Sequence, residues 1–233
     1  MRAPVAAGVA LAWGLAACGP STSPDDHWFR APELSASRFN HFSCATCHAS
    51  EPGSSPAARH LPGGTLHDVA ARPRWWGGQI TTLRDAVNVC MVFFMRGQPL
   101  SPDDERGLAL SAYLQSISPS REAPPVPLTV PGAVTRAPGG GDAGRGASSY
   151  ATACEPCHGA RSTGVGKLDP SAITLPEGTA SYARDYPFAT ARLVVTDKVR
   201  HSPFFEVGGV MPFYSMEVLP DADLADILAY LGL

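Results

Sequence analysis

Two short runs of the sequence hold the residue types that do metal and redox chemistry. In Ser43-Cys44-Ala45-Thr46-Cys47-His48 the cysteines are spaced C-x-x-C and a histidine follows the second. Cys154-Glu155-Pro156-Cys157-His158-Gly159 repeats the pattern in the second half of the chain. Such a spacing serves a redox dithiol, half of a zinc site, or covalent attachment of haem. A dithiol needs no histidine, and zinc sites built from two C-x-x-C pairs hold them roughly 15–20 residues apart, much closer than these two runs. In C-x-x-C-H each cysteine can add to a haem vinyl group, and the histidine becomes the proximal iron ligand. The spacing therefore assigns Cys44, Cys47, Cys154 and Cys157 to two covalently bound haems c, and His48 and His158 to their irons. A motif present twice is also an internal duplication.

The remaining cysteines raise separate questions. The opening MRAPVAAGVALAWGLAAC has one arginine and a short apolar run ending in small residues, a secretory signal over 1–17 that is too short to span a bilayer. Leu15-Ala16-Ala17-Cys18 resembles a bacterial lipobox. That resemblance implies a lipid on Cys18 that anchors the mature chain at a membrane surface. Gly19, rather than aspartate, follows the cysteine, which implies the outer membrane, facing the periplasm. Cys90 is then left over in an oxidising compartment. Its sulfur suits either a buried apolar position or the sixth coordination position of the first iron.

These groups must be positioned by helices. Leu83, Ala86, Val87, Cys90 and Phe94 recur on one face of a predicted helix. Ser101, Pro102 and Asp104 read as the start of a second helix, with Leu110, Tyr113, Leu114 and Ile117 on its stripe. Near the end, Asp221 reads as a cap for a helix carrying Leu224, Ile227, Leu228 and Leu231. Both helices contain Ala-Tyr-Leu, which aligns the two halves. A polar tether over 18–27 and a proline-rich linker over 119–140 bound two domains, 28–118 and 141–233. The 23 prolines and 23 glycines of this chain of 233 residues suit loop-rich domains, each small enough to need a macrocycle as part of its core. The fold class expected is all-α, two tandem units each wrapped around a haem.

The second half resembles class I cytochrome c. GDAGRGASSYATACEPCHG is similar to that family's first helix running into its haem motif, with Gly146 and Tyr150 where the family packs first helix against last. GGVMPFYS is similar to its methionine loop, which implies Met211 as distal ligand. Met211 also stands in a Gly-rich, Pro-bounded loop, and its soft thioether suits haem iron. Met216 and His201 are the competitors there. In the first half, GGQITTLRDAVNVC resembles a segment of thiosulfate dehydrogenases and of the sulfur-oxidising cytochrome A subunit, which implies Cys90 as ligand. Those dehydrogenases continue Arg-Ser-x-Asn-Gly after the cysteine, whereas this chain places Phe93, Phe94 and Met95 there. Met95 precedes Tyr113 by nearly the interval that separates Met211 from Tyr230, so position favours Met95. Five residues apart, Cys90 and Met95 would point about 140° apart on a continuous helix, so only one can face the iron. Met91, His60 and His67 are weaker candidates, and Trp75 and Trp76 suit either the haem wall or the core.

The formal net charge of −3 argues against nucleic acid as a partner. No catalytic triad, phosphate loop or dinucleotide fingerprint is present, so a cofactor must carry any reaction. Two functions follow. One is a periplasmic electron carrier between redox partner proteins. The other, implied by the dehydrogenase resemblance, is a tetrathionate-forming enzyme acting on a small sulfur compound at the first haem, with Cys90 at the catalytic iron. Arg72, Arg74, Arg84 and Arg96 would then meet the anion, or else form a solvated face.

Overall fold

Each C-x-x-C-H run folds as one tight turn. Ser43 starts the first, its N–H donating to Thr46 Oγ1 at 3.0 Å, and helix α2 spans Cys44–Cys47. His48 closes the turn by donating its N–H to the Cys44 carbonyl at 2.9 Å. The second run does the same, with the His158 N–H on the Cys154 carbonyl at 2.9 Å and helix α6 over Glu155–His158. Gly159 then takes φ 72° with ψ near 180°, a conformation open essentially to glycine alone.

The structure is a computed structural model and describes residues 25–54, 60–201 and 210–233. The expected signal, Cys18, and Gly208 and Gly209 of the methionine loop lie outside these residues. The molecule is all-α. Among the described residues there is no strand, only isolated bridges between Ala49 and Thr65 and between Trp75 and Ile80. The helices not yet placed are α1 (His27–Arg30), α3 (Leu83–Phe93), α4 (Glu105–Ser116), α5 (Ala143–Ala153), α7 (Tyr182–Asp185), α8 (Ala191–His201) and α9 (Asp221–Leu231). No described helix is long and apolar enough to cross a membrane.

Two clusters of buried side chains form the cores. One gathers Phe29, Leu34, Met91, Leu110, Tyr113 and Leu114, so the expected α4 stripe is buried and Ile117 packs at its edge. The other gathers Tyr150, Val194, Val199, Leu224, Ile227, Leu228 and Leu231. Here α5 lies across α9 at Gly146, where a Cβ would stand 2.0 Å from the Asp226 carbonyl oxygen. Tyr150 meets Tyr230 at 5.5 Å between ring centroids, so Gly146 and Tyr150 mark the contact of first helix with last.

Three expectations need correction. Helix α4 is capped by Asp104, not Ser101: its carboxylate accepts the N–H groups of Arg106 at 2.9 Å and Gly107 at 3.3 Å. A carboxylate that also pairs with the Arg106 guanidinium at 2.6 Å outcompetes a serine hydroxyl. Asp221 is the first residue of α9 rather than its cap, because its carboxylate is taken by Arg200 at 2.7 Å. Finally, the proline-rich run is not a simple spacer. Ala123 donates to the Ala71 carbonyl at 3.0 Å, Thr129 accepts from the Met216 N–H at 3.0 Å, and Arg192 donates to the Pro138 and Gly140 carbonyls at 2.9 and 2.8 Å.

Candidate haem-binding cavities

The first cavity, about 230 Å³, is lined by Cys44, Cys47 and His48 together with Cys90 and Met95. The loop after the motif returns to cover the histidine. Gly63 donates its N–H to the Cys47 carbonyl at 2.8 Å, and a Cβ on Gly63 would lie 2.2 Å from His48 Cε1. Only glycine can back the ring so closely. Burial pushes the His48 pKa down to about 4, so the imidazole is neutral, as an iron ligand must be. Its Nδ1 is buried with no hydrogen-bond partner among the described residues.

Thr82 caps α3 by accepting the Asp85 N–H at 3.1 Å. The helix then presents Leu83, Ala86, Val87, Cys90 and Phe94 to the cavity, the face read from the sequence. Burial raises the Cys90 thiol to about 12, so a metal is needed to hold it as thiolate at neutral pH. The angular argument between Cys90 and Met95 fails, because α3 ends at Phe93. Met95 donates its N–H to the Cys90 carbonyl at 3.0 Å, and Arg96 takes φ 56°. The chain turns there, and Gly97 packs against Ser35, whose hydroxyl donates to the Met95 carbonyl at 2.6 Å. The turn brings both Cys90 and Met95 to the lining of one cavity.

The second cavity, about 60 Å³, is lined by Cys154, Cys157, His158 and Met211. His158 Nδ1 lies 2.9 Å from the Ile173 carbonyl. A carbonyl only accepts, so Nδ1 carries the proton and Nε2 is left with the lone pair that a metal needs. Burial lowers the pKa of this histidine as well. The methionine segment is fixed from behind by Arg200, which is 1% exposed and donates to the Tyr214 and Ser215 carbonyls at 3.0 and 3.2 Å. Tyr214 returns its N–H to the Val199 carbonyl at 2.8 Å and its hydroxyl to the Ala153 carbonyl.

The competing ligands fall elsewhere. Met91 is buried in the core, and Met216 lines neither cavity. His201 bonds Asp197 at 2.7 Å and the Pro131 carbonyl at 2.6 Å. His60 bonds Thr152 through Nδ1 at 3.1 Å and Asp223 through Nε2 at 2.9 Å, joining the two halves. His67 sits 3.6 Å from Asp68. Of the basic residues, Arg72 and Arg74 border the first cavity, while Arg84 is exposed beside Asp85 and Arg96 is exposed. Arg72 donates to the Thr65 and His67 carbonyls at 3.0 and 2.8 Å. Trp75 and Trp76 both line the first cavity.

Sequence reasoning missed part of this wall. Val126, Pro127 and Leu128 of the linker, and Pro212 and Phe213 of the second half, also line the first cavity. Their apolar character was the only signal, and it does not say which surface they cover. The residues present fit a haem c in each cavity: attachment thiols, a neutral imidazole and a sulfur ligand within a mainly apolar lining, which Arg72 and Arg74 border in the first cavity and Lys198 in the second. A shared zinc site does not fit, since no three His, Cys, Asp or Glu side chains among the described residues could hold a metal ion.

No curated protein matches the chain. Among solved structures, the chain resembles thiosulfate dehydrogenase TsdBA from Marichromatium purpuratum, in its as-isolated form, at 19% identity and a TM-score of 0.40. The match covers 88% of this chain but only 44% of that one, a likeness too slight to carry function. The family model of cytochrome c oxidase, cbb3-type, subunit III, matches residues 141–231. The second half, with its haem-attachment motif, its neutral histidine and Met211, is a cytochrome c-type domain that binds haem c and transfers electrons.

Proposed function

We propose that the chain is a dihaem c-type cytochrome that relays electrons between redox partner proteins in the periplasm, anchored by a lipid on Cys18 to the outer membrane. One observation carries this reading: the first cavity repeats the donor set of the second, two attachment cysteines, a buried histidine and a sulfur side chain. Bound haem supplies one-electron iron chemistry that leaves the polypeptide covalently unchanged. The chain does the rest. Cys44 and Cys47, like Cys154 and Cys157, tether each group; His48 and His158 offer neutral nitrogens; Met211 supplies a thioether to the second iron. For the first iron the sulfur is the thiolate of Cys90 or the thioether of Met95. A thiolate stabilises the ferric state and methionine raises the potential, so with Cys90 bound, electrons run from the first haem to the second.

The runner-up is the tetrathionate-forming enzyme. It is disfavoured because Trp76, Phe94 and Phe213 line the cavity around Cys90, and Arg72 already donates to two carbonyls. Mass spectrometry of the matured, full-length protein tests the carrier reading. The expected mass is that of the lipidated chain starting at Cys18 plus two haems, with both haems lost from a variant in which all four motif cysteines are serine. A mass increase of one haem would leave the first half without its assigned role. Thiosulfate that reduces the protein and yields tetrathionate on a catalytic timescale would instead establish the enzyme.

A further inference from the structure

The methionine segment is a wall one residue thick between the two cavities. Met211, Tyr214 and Leu219 line the second cavity, while Phe213, Ser215 and Val218 line the first. Pro212 lines both. Beyond the wall, Phe213 lies 6.4 Å from Trp76 and 6.5 Å from Phe94 between ring centroids, and Trp76 and Phe94 are stacked at 6.1 Å and 9°. The cluster is held in place: Trp76 donates its indole N–H to the Ala86 carbonyl at 3.1 Å, and Phe94 caps the helix that carries Cys90. On the other side of the wall, Met211, which lines the second cavity, is joined to Pro212 by a peptide bond.

We propose that Phe213, packed on Trp76 and Phe94 and joined through Pro212 to Met211, is the internal electron path between the two haems, leading from the wall that carries Met211 to the wall that carries Cys90. This rests on the dihaem reading above. Tunnelling decays least through bonded and closely packed atoms, and this route is bonded from Met211 to Phe213 and packed from there to the face carrying Cys90. One electron crosses per event. With haem held by Cys44, Cys47 and His48 in the first cavity and by Cys154, Cys157 and His158 in the second, the first group would give up the one electron that the second accepts, and these residues would move no proton and change no bond. A one-electron donor protein then restores the first iron.

The test uses the full-length protein with both haems counted by mass. A flash-generated one-electron reductant, supplied below one equivalent, starts the reaction, and redistribution between the haems is followed by visible absorbance. Phe213→Leu is expected to slow that redistribution by about tenfold or more, equal to ~1.4 kcal/mol of barrier, while Phe213→Tyr restores it. Phe39→Leu, an exposed site lining neither cavity, should leave the rate alone. Trp76→Leu provides an independent break in the same cluster should Phe213→Leu fail to mature. Unchanged redistribution in the leucine variants, at unchanged midpoint potentials, overturns the path while leaving two haems in place. A protein that carries one haem and shows no redistribution overturns the dihaem reading itself.

Discussion

Behind each proposed iron the protein has dealt with the histidine differently. The Ile173 carbonyl fixes the tautomer of His158 at 2.9 Å, whereas His48 is held by the backing of Gly63 and leaves Nδ1 without a partner. In front of the irons the question is which sulfur binds. Low-temperature paramagnetic resonance of the ferric protein answers it: a thiolate-type low-spin signal is expected that disappears in Cys90→Ala and survives in Met95→Leu. Two histidine-methionine signals unchanged by Cys90→Ala, one of them lost in Met95→Leu, would place Met95 on the first iron and leave Cys90 as packing. Arg200 supports the second site one layer further out. Arg200→Met leaves the Tyr214 and Ser215 carbonyls without their shared donor, at about 1–3 kcal/mol for each group left unsatisfied. We expect a lower melting temperature together with a lower potential of the second haem, because the segment carrying Met211 loses its anchor.

At the scale of elements, the crossing of α5 and α9 sets the frame of the second domain. Gly146→Ala would drive a Cβ into the Asp226 carbonyl at 2.0 Å. Overpacking of this kind costs about 1–3 kcal/mol or more, so denaturant unfolding should show a loss of at least that size. This crossing was expected only through the resemblance of GDAGRGASSYATACEPCHG to class I cytochrome c, which implies Gly146 and Tyr150 at the contact. The apolar stripes of α4 and α9 and the cavity face of α3 were legible directly, because apolar residues at helical spacing are a local pattern. The caps were less so. Asp104 and Asp221 are both acidic residues at helix starts, and only the positions of Arg106 and Arg200 determine that one caps its helix while the other pairs with a buried guanidinium. The end of α3 was hidden too, since no glycine or proline marks Phe93; a left-handed Arg96 ends the helix and brings Met95 beside Cys90.

In the whole molecule, the attachment motifs could be read at once because their chemistry is contained in a few adjacent residues. The joining of the halves could not. The linker's partners are backbone groups and side chains far away in sequence, and a proline-rich run looks the same whether it is solvated or strapped to a surface. Here it is strapped: Leu128 packs against Gly77, Thr129 pairs with Met216 and Glu217, and Pro131 accepts from His201. Burial alone would raise the Glu217 pKa, but hydrogen bonds from Thr129 bring it from 4.5 down to about 2. A carboxyl held below its unfolded value adds stability above the unfolded pKa and loses it as pH falls through the folded one. Glu217→Gln should therefore be less stable than the parent at pH 7, by under about 1 kcal/mol because the site is exposed and screened. That difference should shrink between pH 4.5 and about 2. Asp104, Asp169 and Asp226 are depressed as well, so the difference between parent and variant, measured by denaturant unfolding at each pH, isolates Glu217. A difference that stays constant across that window would mean that the strap is held by its backbone pairing and its apolar residues, with the carboxylate contributing nothing.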